Sequence, residues 1–282
     1  MTLIILLMVL VIERVALQSS FWQVETHLKR YIQLTQPSIN KVHEHPLSLF
    51  LFIAAPAVTL AILLYFLNSG FINFLVGLFV LSICIGHTQA RLLYRQYLNA
   101  LGRGDSEAQL LLHEQLSDIC PAQKSYLIEE EQESIGESLI WINFVFYATP
   151  VFYFVLLGAP GVLFYASLLY LSQNEEFSSS DESERKWMST WLGWMFWLPS
   201  RLVSLGFMIV GHFTNGLEIW LKYAVNLSKT SREMLCKVAL KADNPNQKDE
   251  HNNAEHMVKL TKRNMILFIV FVALLTLYGQ VV

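Results

Sequence analysis

The sequence predicts an all-α, polytopic membrane protein, with broken or re-entrant helices in the bilayer and amphipathic helices on the cytoplasmic side. Three observations carry this. Of 282 residues, 54% are hydrophobic and only 15% charged, with a mean hydropathy of +0.40, whereas a soluble domain carries roughly 25% charged residues. Five stretches, one of them a close pair, are apolar enough to enter a bilayer, where a full helical span needs roughly 20 residues. Of the 20 lysines and arginines, all but Arg201 fall between those stretches. The net charge of −3 offers no positive field for nucleic acid. Cys84, Cys120 and Cys236 are odd in number and far apart, which speaks against a disulfide framework or a zinc site.

The chain is expected to form a single integral membrane domain over 1–282. Thr2 to Ile12 is short, with insertion expected over about 2–17. Its positive charge, in Glu13-Arg14, follows the apolar run instead of preceding it. That order reads as an uncleaved anchor with its N-terminus outside, not as a secretory signal. Residues 46–67 and 71–86 form a helical hairpin around the turn tripeptide Asn68-Ser69-Gly70. Ser138 to Leu171 is long enough for two passes, but Gly158-Ala159-Pro160-Gly161 breaks it into arms at about 138–157 and 159–172. Residues 188–213 are interrupted at Pro199-Ser200-Arg201, and Trp187, Trp191 and Trp194 share one helical face of interface-seeking indoles. A plain final span covers 265–282.

Basic residues favour retention on the cytoplasmic side. Nineteen of the 20 share one side if the 138–171 and 188–213 stretches each return to the side they entered from. This arrangement makes 188–213 re-entrant or surface-lying, places both termini outside, and leaves helical regions at about 18–45, 88–137 and 214–263 in the cytoplasm. Within them, Leu217, Trp220, Leu221, Ala224, Leu227, Ser231, Met234, Leu235 and Val238 repeat at 3 and 4, opposite Glu218, Lys222, Lys229, Arg232 and Lys237. This predicts one amphipathic helix, lying on the membrane or against a neighbour. Gly104-Asp105 separates two helices, with Asp105 as N-cap. Pro121 opens a helix that continues through Glu129-Glu130-Glu131 into the membrane at Ser138. Ser178 to Glu182 and Asp243 to Glu255 read as polar, mobile linkers.

No Walker A, nucleophile-elbow or helical His-x-x-x-His pattern is present, and His43, His45, His251 and His256 lack zinc-site spacing. No catalytic residue, metal ligand or cofactor is therefore assigned. The candidates for binding are ionisable groups at or inside apolar stretches, because a charge in lipid costs several kcal/mol unless a partner or cavity receives it. They are Glu13, Arg14, His87, Glu137, Arg201 and His212. Arg201 requires a carboxylate, a backbone carbonyl or a bound anion. Glu13 or Glu137 could pair with it, or an anionic ligand could. Glu130, Glu133 and Glu137 share one helix face, as a cytoplasmic mouth or a solvated helix start. Asn143, in mid-span, serves either a helix-to-helix hydrogen bond or a ligand.

At these residues the sequence resembles the AmpE family of Gram-negative inner-membrane proteins, which is associated with β-lactamase regulation. The resemblance rests on Glu13-Arg14, on Trp141-Ile142-Asn143-Phe144 with Phe146-Tyr147 and Pro150, and on Trp197-Leu198-Pro199 with Arg201-Leu202. Gly211-His212 and the ending Leu274-Leu275-Thr276-Leu277-Tyr278-Gly279 add to it. More distantly, Glu137-Ser138, the Pro150 to Gly161 hairpin and Pro199 to Arg201 resemble the membrane synthases of the cobalamin pathway. Those synthases carry Glu-Asn, Asp and Gly-Arg-Asp where this chain has Trp141-Ile142, Val145 and Asp118-Ile119-Cys120. The resemblance implies a non-enzymatic inner-membrane signalling protein linked to β-lactamase induction, antibiotic resistance and cell-wall recycling. The implied partner is the cytoplasmic amidase of that pathway or a muropeptide-related ligand, besides the lipid bilayer. The alternative is a membrane-embedded transferase or ligase using Glu137 and Arg201 on an anionic or nucleotide-activated substrate. The candidate ligand-binding set is Glu13, Arg14, Glu137, Asn143, Arg201 and His212.

Overall fold

The computed structural model describes residues 1–15, 24–42, 46–120, 134–174, 182–224, 230–243 and 250–278. All regular structure in them is helical. The helices are α1 (Thr2–Val15), α2 (Val24–Val42), α3 (Pro46–Leu67), α4 (Gly70–Cys84), α5 (Thr88–Arg103), α6 (Ser106–Asp118) and α7 (Ile135–Asn143). A π-helical turn over Phe144–Ala148 leads into α8 (Thr149–Gln173), followed by α9 (Glu182–Val210), α10 (Phe213–Ala224), α11 (Ser231–Asp243) and α12 (Glu250–Leu277). Among the described residues, four stretches are long and apolar enough to cross a bilayer: Ser48–Leu67, Ile135–Gln173, Glu184–Val210 and Ala254–Leu277. Gly70–Cys84 taken together with Thr88–Arg103 would make a fifth. The protein is a multi-pass, all-helical membrane protein.

Contacts divide the chain into two compact units. Unit 1 comprises Met1–Gly86, Thr149–Met195 and Val272–Val282; unit 2 comprises His87–Ala148 and Phe196–Phe271.

In unit 1, α3 and α4 pack chiefly against α8, and α1 packs against α4. Gly77 makes this closeness achievable: a Cβ there would stand 3.1 Å from Ile5 Cδ1 and 3.4 Å from Phe154 Cζ. The predicted break in α8 is present. Gly158 adopts φ 70°, ψ −160°, a region that is essentially glycine-only. The arms fold back on one another. Tyr153 and Tyr165 would stand about 18 Å apart along a straight helix, yet their ring centroids are 5.7 Å apart. Two members of the α9 indole face meet α3, with Phe50 5.3 Å from Trp191 and 6.4 Å from Trp187, while Trp194 is exposed.

Helix α9 departs from expectation, because it continues through Pro199 without interruption. A proline cannot donate to the carbonyl four residues earlier, here that of Met195. The Tyr153 hydroxyl donates to that oxygen instead, at 2.8 Å. The same solution recurs at Pro56 inside α3. The carbonyl it would leave bare, that of Phe52, accepts the Tyr31 hydroxyl at 3.2 Å.

In unit 2, α5 and α6 are separated at Gly104-Asp105, as predicted, and pack on one another. Gly104 is left-handed at the C-cap of α5, with its N–H bonded to the carbonyls of Ala100 and Leu101, and the Asp105 carboxylate caps α6 through the Ala108 N–H at 3.0 Å. Three expectations are corrected. The helix entering the membrane does not continue from upstream into Ser138: Ser134 is an extended N-cap and α7 starts at Ile135, while 121–133, with Glu130 and Glu133, lie outside the described residues. The amphipathic pattern over 217–238 is carried by two helices, α10 and α11, packed on one another. Residues 250–255, read as linker, open α12.

Candidate functional site

Unit 2 gathers the charged and aromatic side chains that the apolar surroundings make costly, and local sequence determines how each is held. Ser134-x-x-Glu137 forms a capping box. The Glu137 carboxylate accepts from the Ser134 N–H at 2.8 Å and its hydroxyl at 2.9 Å, while the Ser134 hydroxyl accepts from the Glu137 N–H at 3.4 Å. This satisfies helix-start donors that α7 could not satisfy itself. The pattern Ser-x-x-Glu before an apolar run was a readable signal for it.

One turn further along α7, Trp141 is fully buried against Phe144 (5.3 Å) and Phe196 (5.2 Å). The guanidinium of Arg232, 1% exposed, lies 5.5 Å from the Trp141 ring and donates to the Cys120 carbonyl at 3.1 Å. Arg232 comes from α11, nine of whose thirteen residues are buried. Its neighbour Glu233, 6% exposed, accepts from the Tyr223 hydroxyl and from Lys237 Nζ, both at 2.8 Å. The hydrogen bond to Glu233, reinforced by one to Tyr223 and opposed by burial, holds the Lys237 ammonium above the usual lysine range.

Arg201, 7% exposed, is enclosed by α9 and α10. Its Nη1 donates to the Trp197 carbonyl (3.0 Å) and the Ser200 hydroxyl (3.2 Å), and Nη2 donates to the Tyr223 carbonyl (3.4 Å). The guanidinium also stacks 4.6 Å from the Trp197 ring. No carboxylate bonds it among the described residues, and its Nε and the indole Nε1 of Trp197 are both buried without an acceptor. Of the partners that the sequence left open, the structure thus supplies backbone carbonyls. A cation solvated only by carbonyl and hydroxyl dipoles keeps its charge uncompensated, and two buried donors beside it favour an acceptor.

The six predicted binding residues are therefore not one constellation in a single unit. Glu13 and Arg14 belong to unit 1, with the Arg14 side chain outside the described residues. Glu137, Asn143, Arg201 and His212 belong to unit 2. Within it, Glu137 is taken up by its cap, and its main-chain carbonyl also receives the Cys236 thiol at 3.8 Å. Asn143 is half-buried at the end of α7, where the π turn begins. His212 is exposed, and only its main chain is used, donating to the Ala242 carbonyl at 2.8 Å. His87 caps α5 through Nδ1 and lies 4.5 Å from the Phe146 ring. Sequence reasoning missed Arg232, Glu233 and Tyr223, which sit deeper than Glu137 or His212. It counted the first as solvated-face charge.

These features define a class: a multi-pass, all-helical membrane protein whose polar interior is organised around buried guanidinium groups on carbonyls and indoles. Comparison with known proteins makes the assignment specific. The chain belongs to the AmpE family, matching from residue 1 to 282 the family described as regulatory signalling modulator protein AmpE. It is 26% identical over 292 residues to Protein AmpE of Shigella flexneri, with all of both chains covered. No solved structure matches it.

Proposed function

We propose that the protein is an inner-membrane regulator acting on β-lactamase induction, with unit 2 as the part that receives its signal. The whole-chain membership of a family of regulatory signalling modulators is the observation that carries this reading. The geometry adds a receiver: Arg201, cationic, buried and, among the described residues, bonded only to carbonyl and hydroxyl oxygens, with donors at its Nε and at Trp197 Nε1 to spare. An anionic ligand, such as a muropeptide-related carboxylate, or an acidic segment of the cytoplasmic recycling amidase, has the complementary charge. In the orientation that suits the basic residues, the loops rich in them face the cytoplasm.

The test is induction by a β-lactam in the source bacterium, in a deletion strain complemented at matched membrane abundance with wild type, Arg201→Gln or Arg201→Lys. Wild type is expected to restore a response that Arg201→Gln does not. Unchanged induction on deletion would sink the regulatory reading. A fully active Arg201→Gln would remove Arg201 from it.

A further inference from the structure

Unit 1 contains a cavity of about 750 Å³, within the roughly 300–1,000 Å³ range of small-molecule sites. Three helix ends and one helix break surround it. They are the start of α1, the end of α3 with the turn into α4, and the Gly158 break in α8. Among its lining residues, Ile5, Gly77 and Phe154 close α1, α4 and α8 together. Its side chains include no Asp, Glu, Lys, Arg or His, and the ionised group at its edge is the Met1 α-ammonium. Its polar side chains include Thr2, Asn68 and Asn73, and the Thr2 hydroxyl is buried without a hydrogen-bond partner. Tyr65 and Phe66, which also line it, and Phe71 beside it in the chain are mostly exposed. Aromatic side chains of this kind gather at the headgroup level of a bilayer.

We propose that this cavity binds the acyl chain of a membrane phospholipid, with the Thr2 hydroxyl and the Asn73 carboxamide donating to its ester oxygens. The chemistry of the lining selects that occupant. A ligand charged along its length would find only the Met1 α-ammonium as counter-charge, and a strongly polar one would leave its own groups unpaired against apolar walls. A hydrocarbon chain fills such walls without that cost, and an ester carbonyl provides the acceptor that the Thr2 hydroxyl lacks. The cavity also has a side. Arg14 closes α1, whose start lines it, and Lys41 precedes α3, whose end lines it. The basic ends being cytoplasmic, the cavity opens on the opposite leaflet. That leaflet assignment rests on the orientation proposed above; the lipid site does not.

Photo-crosslinking of the full chain in nanodiscs tests the site, using a phosphatidylethanolamine with a diazirine on one acyl chain and mapping labelled peptides by mass spectrometry. The expected result is concentrated labelling at Ile5 and Phe154 in wild type. Gly70 lines the cavity, and a Cβ there would meet nothing within 4 Å, so Gly70→Trp adds bulk at the cavity without a clash at Cβ. It should cut cavity labelling at least fivefold while leaving labelling of the exposed Leu274 and Leu277 unchanged. Thr2→Val, of the same shape, should reduce retention of the lipid about two- to tenfold, the worth of one hydrogen bond. Cavity labelling no higher than that of Leu274, or undiminished by Gly70→Trp, would overturn the proposal. Impermeant maleimide on Asn68→Cys in intact cells reads the leaflet separately. Labelling only in inverted vesicles would overturn the orientation and leave the lipid result standing.

Discussion

Tyr153→Phe removes one oxygen and leaves the ring that stacks on Tyr165. Because Pro199 has no N–H, the Met195 carbonyl then loses its 2.8 Å hydroxyl donor with no helical donor to replace it. Tyr153 is 8% exposed, so water is a poor substitute. A buried acceptor left unpaired costs about 1–3 kcal/mol, while hydrogen bonds in membrane bundles average nearer 0.6 kcal/mol with a maximum of about 1.7. The expected loss is therefore about 1–1.5 kcal/mol, at the upper end of the membrane range because the alternative donor is missing. The argument has an internal control. Pro199→Ala restores an N–H at position 199 that can donate to Met195, so in that background Tyr153→Phe should cost less than about 0.5 kcal/mol. The assay is reversible unfolding in mixed micelles by titration with dodecyl sulfate, followed by far-ultraviolet circular dichroism, for wild type, both single variants and the double. Equal costs of Tyr153→Phe in the two backgrounds would refute the account of how α9 tolerates its proline.

Ser134→Ala should destabilise by about 0.5–2 kcal/mol, since it removes the cap of α7. Glu137→Gln, which can still complete a capping box, should change thermal stability little, whereas Glu137→Ala should lower it. Gly158→Ala forces a side chain into φ 70°, ψ −160° and should cost about 1–3 kcal/mol in the same unfolding titration. Lys237 has a raised folded-state pKa, so the stability it contributes is fully present below its unfolded value of about 10.4 and is lost as pH rises through the higher folded value. Because its side chain is 44% exposed, the effect is modest. Lys237→Met should flatten the decline in melting temperature above pH 10 relative to wild type. An identical decline would refute the assignment.

The long elements were legible because their signals are local: apolar length for α3 and α12, Gly104-Asp105 for the α5–α6 turn, Gly158-Ala159-Pro160 for the hairpin. What failed was also physical. A stripe at 3- and 4-spacing identifies a buried face but not whether the opposite face is buried as well. In α11 it is, because Arg232 reaches the Cys120 carbonyl, 112 positions earlier in the chain. Pro199 was read as a break because its rescue comes from Tyr153, on another helix. The need of Arg201 for partners was legible, but not their identity, since a carbonyl bond leaves no residue-type signature. For Glu137 the sequence left a cytoplasmic mouth and a helix start open; the Ser134 cap three residues away places it at the helix start.

Helix α11 is short, yet it is buried on faces that would ordinarily meet solvent, and its side chains engage α7, α10 and Cys120, two positions beyond α6. Amides there can exchange with solvent deuterium only when those contacts are undone together. The slowest-exchanging protons of unit 2 should therefore sit at about 234–239. Their exchange rate then reports the opening of the whole unit, and an effector bound at Arg201 should slow it even though it touches none of those residues.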